Sequence, residues 1–399
     1  MRREPVTQTP LEQPGPALAP LPTVAREWTR IGLIGFGGPP AHVVLLRRLV
    51  VDRKRWMDAQ EFEDANAACG LLPGPGSTQL AIFCAYRVGG PAGAIVGGLG
   101  FVVPAVVLVL LLSTVFFGHA PPLWVRGAGA GAGAAVAAVA VDAARSLLVP
   151  SHARVRSDGA RLARWALYLS AAAAGAALLG PYLVLVLIGC GLTELLLQRR
   201  PAGTASLHWG ALAAAGPKAI AVGGLGALGW TAFKVGALSY GGGFVIIPLM
   251  QADAVHTYHW MTNAEFLNAV ALGQVTPGPV VATVAAVGYA AHGLAGGLLA
   301  AAVAFTPSFS FILLGGRRFT HLRESANARA FLDGAGPAAI GAILGAAISL
   351  TLALRESWQF AVLAGAAIAL LVLRRHVVET LLAAGAVGVV LALAGAPLP

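Results

Sequence analysis

The residues best placed to do chemistry are glycines and prolines set inside apolar stretches, not acids or nucleophiles. Phe36-Gly37-Gly38-Pro39-Pro40 interrupts one such stretch, and Tyr240-Gly241-Gly242-Gly243 interrupts another. A second kind of break, Leu72-Pro73-Gly74-Pro75-Gly76-Ser77-Thr78, has its counterpart in Thr276-Pro277-Gly278-Pro279. Proline removes an N–H donor and glycine admits positive φ, so helices stop at these places. In hydrocarbon each unpaired backbone group costs several kcal/mol, so broken backbone persists only against protein or a wet cavity. A helix that restarts after the break presents free N–H groups and a partial positive charge. Two such ends facing each other suit a tetrahedral dianion, to which Ser77 and Thr78 add hydroxyl donors. The competing use of glycine and proline here is kinking and close helix packing.

Charged and titratable residues flank the breaks. Arg30 and Lys234 each stand six residues before an aromatic-Gly-Gly break. A charge inside a bilayer is costly enough to be a functional hypothesis by default, so both are candidate anion ligands or gates. Arg30, nearer the edge of its apolar block, could instead snorkel to the interface. Glu61 and Glu265 follow Trp56 and Trp260. They read either as polar helix starts beside interfacial tryptophans, with Thr262-Asn263-Ala264-Glu265 as a capping box, or as proton-coupling carboxylates. His42 could hydrogen-bond the anion, carry a proton or simply pack. The candidate substrate-contacting set is Arg30, Phe36, Gly37, Gly38, His42, Pro73, Gly74, Pro75, Ser77, Thr78, Lys234, Tyr240, Gly241, Gly242, Pro277, Gly278 and Pro279, with Glu61 and Glu265 as candidate coupling groups.

The elements that must hold these residues are membrane helices. Of 399 residues 57% are hydrophobic and 11% charged, with a mean hydropathy of +0.76; soluble domains carry roughly 25% charged residues. Blocks such as Ala92–Phe117 reach the ~20 residues that a spanning helix needs. No ten-residue alternating segments suggest a β-barrel. The net charge of +10 sits in short clusters between apolar blocks, the pattern of cytoplasmic loops and not of a nucleic-acid surface. Residues 1–22, with six prolines, read as a disordered tail without a cleavable signal.

The chain repeats itself. At a constant offset of 204, Arg30 meets Lys234, Phe36-Gly37-Gly38 meets Tyr240-Gly241-Gly242, Trp56-Met57 meets Trp260-Met261, Glu61-Phe62 meets Glu265-Phe266, and Pro73-Gly74-Pro75 meets Pro277-Gly278-Pro279. The loop before Trp56 holds Arg47, Arg48, Arg53, Lys54 and Arg55, whereas Gln251–Trp260 has no Lys or Arg. Equivalent loops on opposite sides define an inverted-topology repeat. The expected fold is an all-α polytopic membrane protein of two homologous inverted repeats, residues 23–200 and 218–396, joined by a cytoplasmic linker at 201–217. Each repeat has about five crossings: 28–50, 92–117, 122–144, 163–179 and 181–197, then 219–250, 294–314, 333–353, 357–373 and 377–396. The segments 60–88 and 264–290, broken at Pro-Gly-Pro, dip in and return on the same side.

Several chemistries are excluded. No P-loop, HExxH or Cys/His ligand cluster occurs, so neither a metal nor another cofactor is expected, and the chain does not read as an enzyme. Gly224-Leu225-Gly226-Ala227-Leu228-Gly229 matches a dinucleotide fingerprint but lies in a membrane block. Cys69, Cys84 and Cys190 read as small buried hydrophobes, and the Gly127–Gly133 run as close helix packing.

The motifs Phe36-Gly37-Gly38-Pro39-Pro40-Ala41-His42, Arg53-Lys54-Arg55-Trp56 and Leu72-Pro73-Gly74-Pro75 resemble the chromate ion transporter family. Phe233-Lys234-Val235-Gly236, Tyr240-Gly241-Gly242-Gly243 and Thr276-Pro277-Gly278-Pro279 carry the same resemblance in the second half. It implies a bacterial inner-membrane secondary transporter that expels chromate using the electrochemical gradient, with sulfate as a look-alike. The implied partners are the oxyanion and the lipid bilayer, with assembly as a homodimer left open. Sulfate or another oxyanion moved in either direction is the alternative reading, and an anion channel a further one. In the second half Gly243-Phe244 replaces Pro39-Pro40, so the two halves need not meet substrate equally.

Overall fold

The computed structural model describes residues 18–70, 72, 74–118, 120–178, 183–198, 224–239, 244–315 and 325–399. The expected linker at 201–217, and Pro73, Tyr240, Gly241 and Gly242 among the candidate site residues, lie outside the described residues. So do residues 1–17 of the expected tail; helix α1 begins at Leu21, just inside the end of that stretch.

The described residues are helical and contain no strand. In the first half α1 (Leu21–Ile34) ends at Gly35, and α2 (Pro39–Arg47) restarts with prolines at its first two positions and runs into a π turn, Arg48–Arg53. Next come α3 (Ala59–Cys69), α4 (Gly76–Phe116), α5 (Leu123–Val155), α6 (Gly159–Leu178) and α7 (Leu183–Gln198). The second half contains α8 (Leu225–Leu238), α9 (Ile246–Gln251) with a π turn Ala252–Thr257, α10 (Asn263–Val275) and α11 (Thr283–Gly315). It closes with α12 (Ala326–Leu352), α13 (Ser357–Ala367) and α14 (Val377–Leu393).

The 204-residue offset reappears in the backbone. α1 and α8 are both 14 residues long, and the π turns start at Arg48 and Ala252. Arg55 and His259, matched by the repeat, both have φ of 52°. Asp58 and Thr262 both cap the next helix by accepting a backbone N–H three residues on.

The matched long helices are each folded in two. α4 turns at Gly90, φ 67°, and α11 at Gly293, φ 63°. A methyl on Gly97 would lie 2.5 Å from Ala85 Cβ, and one on Gly297 would lie 2.9 Å from the Ala285 carbonyl oxygen. In a straight helix residues twelve apart are about 18 Å apart, so each helix returns on itself as a hairpin. The arm 76–89 is about 21 Å long and α3 about 16 Å, at 1.5 Å per residue. Neither crosses ~30 Å of hydrocarbon alone.

Most other boundaries lie near those expected. α5 departs from them, continuing past 144 to Val155. Its last turns still have partners, since Arg145 donates to the Leu371 carbonyl at 3.0 Å and Ser151 accepts from Trp165 at 2.9 Å. Among the described residues, four helical segments are long and apolar enough to cross a membrane by length and composition: Gly76–Phe116, Leu123–Val155, Val280–Gly315 and Ala326–Leu352.

The halves interlock reciprocally. α5 of the first packs on α13 and α14 of the second, and α12, its counterpart, packs on α6 and α7 of the first. Small residues make this possible: a Cβ at Gly131 on α5 would sit 2.2 Å from the Ala384 carbonyl oxygen on α14. Within each half the first helix lies on the hairpin. Trp28 is fully buried, donates from Nε1 to the Ala81 carbonyl at 2.8 Å and stacks on Trp56.

Gly131→Leu therefore forces α5 and α14 apart. A loss of about 3 kcal/mol or more is expected, seen as aggregation in detergent chromatography. Gly226→Leu, with open space at its Cβ, should keep a monodisperse peak.

Candidate anion-binding site

The described breaks meet where the two halves touch. The Gly278 N–H donates to the Gly35 carbonyl at 3.0 Å, so the second Pro-Gly-Pro is tied to the end of α1. A methyl on Gly38 would touch Val280 at 3.8 Å. The seating is reciprocal: a Cβ on Gly74 would be 3.1 Å from the Gly236 carbonyl oxygen, and one on Gly278 3.5 Å from that of Gly32. Those pairs exchange under the 204-residue offset. Gly74 and Gly278, at φ of 114° and 97°, hold a backbone conformation that other residues rarely adopt.

A cavity of about 400 Å³ opens beside the first pair of breaks, with Pro39, Pro40, Gly74, Gly76 and Ser77 in its wall. Asn66 on α3, Phe244, and faces of α5 and α12 complete it, and Arg154 is the cation among its described lining residues, which include no carboxylate. Two helices begin there. α4 starts at Gly76 with no side-chain cap, and its first intrahelical acceptors are used by Thr78 and Gln79, leaving the N–H groups of Gly76 and Ser77 at the mouth of the helix. α2 starts at Pro39, also uncapped; prolines supply no donor but keep the dipole.

His42 is fully buried at this junction. Its Nε2 lies 3.0 Å from the Gly35 carbonyl oxygen and its Nδ1 3.3 Å from Ser77 Oγ, with Phe101 edge-on at 5.0 Å. A carbonyl only accepts, so Nε2 carries the hydrogen and Nδ1 accepts from the Ser77 hydroxyl. The Gly35 carbonyl thus receives both His42 and Gly278.

Several other candidates stand apart from this cavity. Lys234 is paired with Asp253 at 2.5 Å, and the pair is largely buried, with side chains 12% and 3% exposed. Thr231 also donates to Asp253, and Lys234 lies over Trp230. Arg30 is exposed and joins no ion pair among the described residues. Phe36 is exposed, while Thr78, Pro277, Gly278 and Pro279 are buried away from it. Glu61 is held by Arg87 and also sits at the capped start of α3. Glu265 closes the expected capping box, accepting from the Thr262 N–H at 2.7 Å. The three cysteines are buried and free.

Sequence reading missed four contributors: Asn66, Arg154, Asp253 and Glu27. Glu27, 4% exposed, pairs with Arg53 across the first half as Asp253 pairs with Lys234 across the second, acid and base exchanged. The signal was present for the two acids, since a carboxylate in an apolar block demands a partner. Nothing local marks Asn66 or Arg154.

A helical chain with apolar spans and broken helices at its internal seam defines a multi-pass membrane protein. The profile of the chromate transporter family matches residues 23–195 and 226–389, and the chain belongs to that family. It is 31% identical to the chromate transport protein of Cupriavidus metallidurans over 90% of this chain and 89% of that one. With the chromate transport protein of Pseudomonas aeruginosa the identity is 29%, over 82% of this chain and 80% of the relative. A probable chromate transport protein of Synechococcus elongatus is 28% identical over 83% and 84%. No solved structure matches the chain.

Asp253→Asn strands the Lys234 ammonium in apolar surroundings, at an expected cost of about 3–5 kcal/mol. Thermal unfolding in detergent reads this as a lower Tm, and the double variant Lys234→Met with Asp253→Asn should recover most of it.

Proposed function

We propose that the chain is a secondary active transporter that exports chromate across the inner membrane of a bacterium, driven by the electrochemical gradient. The supporting observation is the cavity at the seam, where two uncapped helix starts and Arg154 converge without an opposing carboxylate. Each helix start is equivalent to roughly +0.5 charge, so the pair and the arginine together favour a dianion. The Gly76 and Ser77 N–H groups, with Asn66, provide directional donors to its oxygens.

The family and the relatives' names support chromate; charge and shape alone fit sulfate equally. Loop charges orient the cavity. Arg145–Arg164 is cytoplasmic by the positive-inside rule, and Ser146, Ser151 and Arg154 at that end of α5 line the cavity. The site therefore loads from the cytoplasm, as an exporter requires. Expelling negative charge from an inside-negative cell gains about 2.3 kcal/mol per charge per 100 mV. The two repeats are of inverted topology in this reading, and rocking one against the other about the Gly35–Gly278 seam exposes the site to the far side. On this reading the anion rests on Gly76, Ser77, Asn66 and Arg154, and Lys234 acts in the adjoining ion pair without touching it.

Radiolabelled chromate and sulfate flux into everted vesicles tests the proposal. Saturable uptake that each anion suppresses in the other is expected. Arg154→Gln should raise KM about three- to tenfold, the scale of a partly exposed charge contact, with little change in maximal rate. Flux no greater than in vesicles lacking the protein, or large unitary currents instead of saturation, overturns it.

A further inference from the structure

We infer that His42 is the proton-coupling residue of the anion site, acting by turning the Ser77 hydroxyl; the inference rests on the proposed location of that site. In the arrangement described, the neutral imidazole donates from Nε2 to Gly35 and accepts at Nδ1 from Ser77. Ser77 has one hydroxyl hydrogen, and it is spent on His42. The side of the oxygen facing the cavity then offers only lone pairs, which repel an anion.

A proton taken from water onto Nδ1 reverses this. The imidazolium has two N–H donors, so Nε2–H keeps the Gly35 carbonyl while Nδ1–H now donates to Ser77 Oγ. The Ser77 O–H is released and rotates toward an oxyanion beside the Gly76 and Ser77 N–H groups. One proton is gained and no other bond changes. The same step places a positive charge one hydroxyl away from the bound dianion. Proton and anion therefore favour each other's binding, and by linkage each strengthens the other equally.

Among the described residues no other titratable group contacts His42. Its polar contacts are Gly35 and Ser77, and the remaining ring neighbour is Phe101. On the surrounding elements Glu27 of α1 is held by Arg53, and Arg30 is exposed. Arg47 of α2 pairs with Asp52 and Glu63, and Glu61 of α3 pairs with Arg87 of α4. Cys69 and Cys84 are buried thiols, and Arg154 is an exposed cation at the cavity wall.

His42 also touches the seam. Its Nε2–H shares the Gly35 carbonyl with the Gly278 N–H of the other half. Gaining a positive charge strengthens the His42–Gly35 bond, since charge-assisted bonds are roughly twice as strong as neutral ones. Occupancy of the cavity is thereby communicated to the carbonyl on which the second Pro-Gly-Pro is seated.

The test is calorimetric titration of the detergent-solubilised full chain with sulfate, which stays doubly ionised throughout, from about pH 5.5 to pH 8 around the ordinary histidine range. Repeating it in two buffers of different ionisation enthalpy counts protons. Wild type should take up close to one proton per sulfate in the pH window where the free ring is neutral and the occupied ring protonated, and across that window its affinity should fall by up to tenfold per pH unit as pH rises. His42→Gln, whose amide can donate to Gly35 and accept from Ser77, mimics the neutral ring. It should bind at the weak alkaline level at every pH, with no proton uptake. Ser77→Ala keeps the imidazole and its charge but removes the hydroxyl that it turns, and should weaken the pH dependence relative to wild type. Sulfate binding by wild type without proton uptake, or proton uptake unchanged in His42→Gln, overturns the inference alone. Wild type that binds no sulfate at any pH overturns both it and the anion site.

Discussion

Backbone N–H and C=O groups that leave a helix inside an apolar interior have to find partners, and the seam of this protein is built around that requirement. Helix α1 stops at Gly35, and the carbonyl freed there accepts from Gly278 of the other half and from His42. The two Pro-Gly-Pro turns seat against the first helices of opposite halves, Gly74 on Gly236 and Gly278 on Gly32. Without these contacts the breaks would be several kcal/mol of unmet polarity each. With them, the same breaks become the surface on which the halves recognise one another.

Charge is managed with the same economy. Each half ties its first helix to its π turn by a buried acid or base with an opposite charge, Glu27 with Arg53 and Lys234 with Asp253. Both acids are thereby partnered, and among the described residues the cavity has Arg154 and the helix starts as its charge-bearing features. The halves are alike in backbone but unlike in use. The first Pro-Gly-Pro borders the cavity at Gly74, Gly76 and Ser77, whereas Thr276–Val280 is buried throughout. In the proposed transport cycle that inequality gives the protein a loaded side, and rocking about a pseudo-symmetric seam is the economical way to invert it.

Much of the architecture was legible without coordinates. Alpha-helical membrane segments follow from hydropathy, because helices satisfy their own hydrogen bonds in lipid. The repeat follows from matched Trp, Glu, Pro and Gly residues, and the hairpin folds at Gly90 and Gly293 fall at the ends of the segments expected to dip and return. The capping role of Glu265 was also readable, since a capping box is local chemistry. For Lys234 and Arg30 only their presence near the breaks was readable.

By itself the sequence determined that the described stretches are helical and where the helix ends at Gly35 and Thr276 fall, because each of these depends on residues within a few turns of one another. Which groups meet was decided only by tertiary structure. Asp253 reaches Lys234 across 19 residues, His42 reaches Ser77 across 35, and Gln359 on α13 reaches the Ala130 carbonyl on α5 across 229. A side chain's partner in a membrane protein is set by how helices pack, and that packing is a property of the whole interface, summed over small residues such as Gly131 and Gly236, whose individual identities carry no address.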